Sequence, residues 1–168
     1  MKRLILIVAL LLAGISASAQ SGWVTVDYTK GTLLDEASSP YNAYGLTFAK
    51  SFDIDFPSPW FLDTGFTAYW LGLDANYTYG VAAEVPLSME LRMEPFWWLA
   101  LGLHAGGFAA LSIGTDQLKT FRPGVLAGVN LYLAKVHLGV QYMYDFMPFD
   151  TAGNKSKCLR FSVGLNLY

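Results

Sequence analysis

Thr78–Met93 reads T-Y-G-V-A-A-E-V-P-L-S-M-E-L-R-M. Tyr79, Val81, Ala83, Val85, Leu87, Met89, Leu91 and Met93 share one parity, and Thr78, Gly80, Ala82, Glu84, Pro86, Ser88, Glu90 and Arg92 share the other. Period-two alternation held this long is the mark of a β-strand with one apolar and one polar face. A helix would scatter Glu84, Glu90 and Arg92 around its circumference. At about 3.3 Å per residue the strand spans roughly 50 Å, longer than globular sheets usually need. The apolar face must therefore have a special partner.

Composition narrows the choice of partner. Apolar residues make up 54% of the 168-residue chain and charged residues only 14%, against ~25% charged in an ordinary soluble domain. No segment after the N-terminus offers the ~20 uninterrupted apolar residues of a spanning helix. The nearest, Trp97–Ile113, is interrupted by Gly102, His104, Gly106 and Gly107. A chain this apolar without such helices points to a membrane β-barrel.

The N-terminus points to export. Lys2 and Arg3 precede the apolar run Leu4–Leu12, and Ala17-Ser18-Ala19 forms an A-x-A cleavage site before Gln20. Residues 1–19 therefore read as a cleaved signal peptide and 20–168 as the mature domain; a short membrane anchor would need a longer apolar run. Loss of the two cations Lys2 and Arg3 takes the net charge from −2 to −4, which argues against a nucleic-acid partner. The single cysteine, Cys158, excludes an internal disulfide.

Alternation and turn residues predict eight strands: Trp23–Lys30, Tyr41–Phe52, Trp60–Leu73, Thr78–Met93, Phe96–Ile113, Phe121–Leu133, Val136–Met147 and Lys157–Tyr168. With eight strands both termini fall on one side. Two connections on that side, Glu94-Pro95 and Ala134-Lys135, read as very short turns. Gly31–Pro40, Gly114–Thr120 and Pro148–Ser156 read as longer polar loops on the other. Lys50 interrupts the apolar row of strand two near its end, where a long side chain can snorkel to an interface.

Alternation alone leaves two barrels open, because a soluble lipocalin-like barrel has the same pattern with the faces exchanged. Two features choose between them. Gly45, Gly65, Gly80, Gly102, Gly106, Gly124, Gly128, Gly139 and Gly164 all fall on the polar parity, and a narrow lumen needs small residues where a water-facing surface does not. Aromatics also collect at both strand ends: Tyr28, Tyr44, Trp70, Tyr77, Tyr79, Tyr144 and Phe146 at the loop end, and Phe52, Trp60, Phe96 and Trp97 at the turn end. Two girdles flanking an aliphatic band match a bilayer with two interfaces. The expected fold is an all-β, eight-stranded antiparallel up-and-down transmembrane barrel.

In this architecture the chain resembles the small eight-stranded outer-membrane β-barrels of the OmpX and OmpA-transmembrane-domain type. Its terminal F-S-V-G-L-N-L-Y is similar to their C-terminal assembly signal, although Tyr168 is one residue out of phase with Leu167, Leu165 and Val163. The resemblance implies a monomer in the bacterial outer membrane, in contact with membrane lipid and lipopolysaccharide. It also implies recognition by the barrel-insertion machinery during assembly.

The polar parity carries the candidate functional residues. Pairing strands across their connections gathers Asp27, Arg122, Asp145 and Arg160 in the outer half of the lumen. It leaves Asp63, Glu90 and Arg92 as a looser inner group and sets Glu84 near His104. Charges in a narrow lumen must pair to be tolerated, and eight strands leave room for side chains but not for an open channel. A salt-bridge plug is thus expected; an ion path or a pH-sensitive gate on His104 and Glu84 is the sharper alternative. Catalysis would need Ser112, His104 and Glu84 together, but Ser112 and His104 lie roughly 26 Å apart along one strand. No G-x-S-x-G occurs, and two histidines with one cysteine make a poor metal set. The reading is a non-enzymatic barrel without cofactor or metal, structural or acting through its outer loops. A transport or ligand-binding barrel and a lipid-modifying enzyme are the competing classes.

Overall fold

The computed structural model describes residues 21–34, 38–54, 60–74, 77–113 and 119–167. The expected signal peptide, residues 1–19, and the out-of-phase Tyr168 lie outside the described residues. Eight strands run in chain order: β1 (Ser21–Leu33), β2 (Pro40–Asp53), β3 (Trp60–Asp74), β4 (Tyr77–Phe96), β5 (Leu99–Ile113), β6 (Phe121–Leu133), β7 (Val136–Asp145) and β8 (Ser156–Asn166). Each pairs antiparallel with its neighbours, and β1 pairs with β8 from Trp23↔Asn166 to Leu33↔Ser156, closing the barrel. Closure leaves no free edge, so every strand finds backbone partners on both sides, as a low-dielectric surrounding demands.

Strands β1 to β4 are longer than their apolar patterns, β6 has the expected bounds, β5, β7 and β8 are shorter than expected, and one turn sits elsewhere than expected. Strand β4 runs through Pro95 to Phe96, and the tight turn is Trp97-Trp98 rather than Glu94-Pro95. The register slips between Met93 and Phe96; a proline, which cannot donate to the ladder, is tolerated at such an irregularity. Ala134-Lys135 is a tight turn as expected, with Ala134 in the left-handed region at φ 50°. At the other end of β4, Gly80 takes φ 110° where the β3–β4 register shifts beside Leu71, a geometry a side chain would resist.

The two faces sort as the alternation requires. Val26, Tyr44, Leu46, Val85, Leu87, Val129, Val140, Val163 and Leu165 are exposed on the outside. Thr25, Asp27, Thr67, Glu84, Ser88, Glu90, Arg122 and Arg160 are buried inside. Apolar side chains out and polar ones in is the inverse of a soluble barrel. Exposed aromatics mark both rims: Tyr28, Tyr44, Trp70, Phe121 and Phe146 at the loop end, Trp60, Phe96, Trp97 and Trp98 at the turn end. The Tyr28 and Tyr44 rings lie 5.4 Å apart, and Phe96 stacks on Trp98 at 5.7 Å. The side chains of Tyr77 and Tyr79 lie outside the described set. Lys50 departs from its expected course: it is buried, and its Nζ folds over the Phe48 ring at 5.8 Å.

Inward glycines let the strands and the filling side chains approach. A Cβ at Gly106 would strike the backbone of Leu87 and Ser88, and one at Gly164 the backbone of Val24 and Thr25. At Gly102 it would land on the Glu90 carboxylate. The lumen is thus filled by large polar side chains facing bare backbone.

Candidate functional site

The lumen is bolted at two levels. The lower bolt, toward the short turns, is centred on Glu90 of β4. Its carboxylate accepts from Arg92 Nε at 2.7 Å, from Asn130 Nδ2 at 2.6 Å and from the Tyr132 hydroxyl at 2.9 and 3.0 Å. Arg92 Nη2 reaches on to Ser51 Oγ on β2 at 3.1 Å, and its guanidinium lies over the rings of Phe61 and Tyr132, 4.1 and 4.4 Å from their centroids. Ser51 in turn donates to Asp63. One wall-to-wall network therefore links β2, β3, β4 and β6. Beneath it Trp23 stacks on His137 at 4.8 Å, and Tyr132 meets both rings edge-on.

The upper bolt has two ion pairs. Arg160 of β8 grips Glu84 of β4 with both terminal nitrogens, at 2.7 and 3.0 Å, while its Nε donates to Thr29 Oγ1 at 3.3 Å. Arg122 of β6 meets Asp145 of β7 at 3.3 Å and donates to the Tyr69 hydroxyl at 2.8 Å. Phe149, from the β7–β8 connection, turns inward above them, 1% exposed. It packs on Tyr41 at 4.8 Å, with the Arg122 guanidinium 4.4 Å from its ring centroid. Its loop is held by Asp150, which accepts from the Asn154 backbone and side-chain amides, each at 2.9 Å. Both charges of every pair are nearly dry, where partners and hydrogen bonds decide whether an ion is tolerated.

All nine lumen residues named from the sequence are buried on the inner face, but their partners differ in part from those expected. Arg122 and Asp145 meet, because the two-residue turn at Ala134-Lys135 fixes Gly124 opposite Asp145. Glu84 does not pair with His104. It stands opposite Ala110, and its partner is Arg160, from the far side of the barrel. Moving the β4–β5 turn to Trp97-Trp98 accounts for the displacement. Arg160 stands opposite Gln141, four residues along the strand from Asp145, and it joins Glu84 rather than Asp145. Among the described residues Asp27 makes no ion pair, and it accepts instead from the hydroxyls of Thr25 and Thr47. His104 stands opposite Glu90 and hydrogen-bonds Gln141.

Sequence reasoning passed over Tyr69, Tyr132, Asn130 and Phe149. The first three lie on the polar parity, and that placement was their signal; Phe149, an aromatic residue inside a polar loop, carried none. Ser112 Oγ has no hydrogen-bond partner, and no serine bonds to either histidine among the described residues. Among these residues, no group of three His, Cys, Asp or Glu side chains converges to hold a metal ion.

Comparison with solved structures gives the same architecture. The attachment invasion locus protein Ail of Yersinia pestis superposes with a TM-score of 0.51 at 11% identity, covering 89% of this chain and 99% of its own. Neisserial surface protein A superposes with a TM-score of 0.54 at 14% identity, covering 86% of this chain and 95% of its own. The chain has the fold of the small eight-stranded outer-membrane β-barrels of the OmpX type. No protein-family model and no curated protein sequence matches it.

Proposed function

We propose that the protein is a non-enzymatic integral outer-membrane barrel that acts at the cell surface through its outer connections, with a lumen closed to bulk flow. One observation carries this reading: the apolar face of a closed barrel points outward while the lumen is crossed by the Glu84–Arg160 ion pair and by the hydrogen bonds from Tyr132 to Glu90 and from Arg122 to Tyr69. Such an outside is costly in water and at home in lipid. The names of its structural neighbours, an attachment invasion locus protein and a surface protein, support a role in surface interaction. Residues 1–19 are its export signal, and the mature monomer contacts membrane lipid and lipopolysaccharide after insertion by the assembly machinery.

Transport through the lumen is the second reading, and the two bolts weigh against it. The test is direct. The folded protein should fractionate with outer membranes, migrate differently on a detergent gel before and after boiling, and show no steady conductance in planar bilayers. Recovery in a soluble fraction with unchanged mobility would overturn the membrane reading; stable open channels would overturn the closed lumen.

A further inference from the structure

The lower bolt sets two carboxyl groups against one guanidinium. Asp63 on β3 stands opposite Ser88, so Glu90, the next inward residue of β4, is its diagonal neighbour. The two carboxyls lie within hydrogen-bond reach of each other, and both are buried. Arg92 serves the pair, bonding Glu90 through Nε and reaching Asp63 by way of Ser51. The Lys50 ammonium is turned elsewhere, over the Phe48 ring. Two carboxylates with one guanidinium would leave a net negative charge in a dry layer, which a further positive charge must offset.

The direction of each hydrogen bond locates that charge. Arg92 Nη2 donates to Ser51 Oγ, and the Ser51 hydroxyl donates to Asp63 Oδ1. Glu90 accepts from Arg92, Asn130 and Tyr132, so donors reach both of its oxygens. Asp63 Oδ2 is buried, and among the described residues no donor is directed at it. An ionised carboxylate only accepts, so two in contact repel, whereas a protonated one donates. We propose that Asp63 carries a proton on Oδ2 and donates it to Glu90, which makes the lower bolt a proton-dependent latch. The proton closes a ring running from Arg92 through Ser51, Asp63 and Glu90 back to Arg92, and it brings the charge of the ring to zero. The other titratable groups facing it are Tyr132 of β6, His104 of β5 and His137 of β7. This layer divides a chamber of about 60 Å³, walled in part by Asp63, His104 and His137, from a vestibule of about 250 Å³ at the turn end, walled in part by Arg92, Tyr132 and Trp97. Losing the proton sets the carboxylates in repulsion and loosens the partition. The inference does not depend on the surface role proposed above.

The test uses the folded full chain in zwitterionic detergent. Infrared spectra at about pH 6, where exposed carboxyls have ionised, should show the carbonyl stretch of a protonated, buried carboxyl, and Asp63→Asn should remove it. The temperature of the heat-induced mobility change should fall by several degrees between about pH 6 and about pH 9. Stability drops with rising pH wherever the folded state holds a proton that the unfolded chain has released. In Asp63→Asn the amide donates to Glu90 in the proton's place, so the fall should be absent. A parent spectrum without a protonated carboxyl would overturn the proposal, and that measurement needs no variant. A band that survives undiminished in Asp63→Asn, or an unchanged fall, would also overturn it. A fall removed by His104→Gln or His137→Gln but kept in Asp63→Asn would assign the proton to that histidine instead.

Discussion

Arg160 and Glu84 clasp each other across the whole lumen, from β8 to β4, strands on opposite sides of the closed ring. The pair joins walls that share no backbone hydrogen bond, so it acts as a cross-brace. Arg160→Ala strands a buried Glu84 and should cost about 3–5 kcal/mol. Replacing both partners by apolar residues, as in E84L/R160M, should cost much less than the single change. Lys155→Ala, at an exposed position, should stay within about 0.5 kcal/mol. Urea unfolding in lipid vesicles, followed by tryptophan fluorescence, measures all three; equal effects of R160A and K155A would remove the brace.

The adjacent glycines 106 and 107 should respond in opposite ways to the same substitution. Gly106 points inward onto the β4 backbone, which cannot yield to a methyl group. For Gly107 the nearest atom to a new Cβ is the Gly124 carbonyl oxygen at 3.4 Å, an ordinary contact. G106A should therefore reduce the heat-modifiable folded fraction on a gel, while G107A folds like the parent. A normal yield for G106A would mean that β4 and β5 can separate without loss.

That contrast shows what the sequence could and could not disclose. Parity was legible, because one-residue steps along a strand reverse the side-chain direction and leave glycine, threonine and charge on one side. The β6–β7 register was legible too, since Ala134-Lys135 is flanked by unbroken alternation. The β4–β5 register was not. Glu94-Pro95 has the chemistry of a turn, whereas Trp97-Trp98, the actual turn, has none. Arg160–Glu84 was beyond neighbour pairing altogether, for it exists only once the ring closes. Phe149 likewise becomes meaningful only when the mouth it fills is formed.

Phe149 should lock the β7–β8 connection. Its ring is buried between Tyr41 and the Arg122 guanidinium, while Thr151, Ala152 and Gly153 stay exposed. Phe149→Ala removes both contacts and should cost roughly 3 kcal/mol, the low end for a buried aromatic. Because the connection loses its anchor while the strands keep theirs, trypsin cleavage after Lys155 should accelerate well before global unfolding. Unchanged cleavage would show that the Asp150–Asn154 hydrogen bonds hold the loop by themselves.

Trp97 tests the membrane assignment at a single position. It is 95% exposed at the tip of the β4–β5 turn, beside the stacked Phe96 and Trp98, so it supports nothing within the barrel. Trp97→Phe should leave unfolding in detergent within about 0.5 kcal/mol of the parent. A tryptophan at that height in a bilayer sits at headgroup level. In vesicles, the emission lost in W97F should be quenched most by lipids brominated near the headgroup and least by lipids brominated near the chain ends. Trp23, held in the lumen against His137, supplies the internal control: a variant retaining it alone should be insensitive to both lipids. If aqueous iodide quenches Trp97 and neither lipid does, the turn projects into water, and the lower aromatic rim is not a membrane girdle.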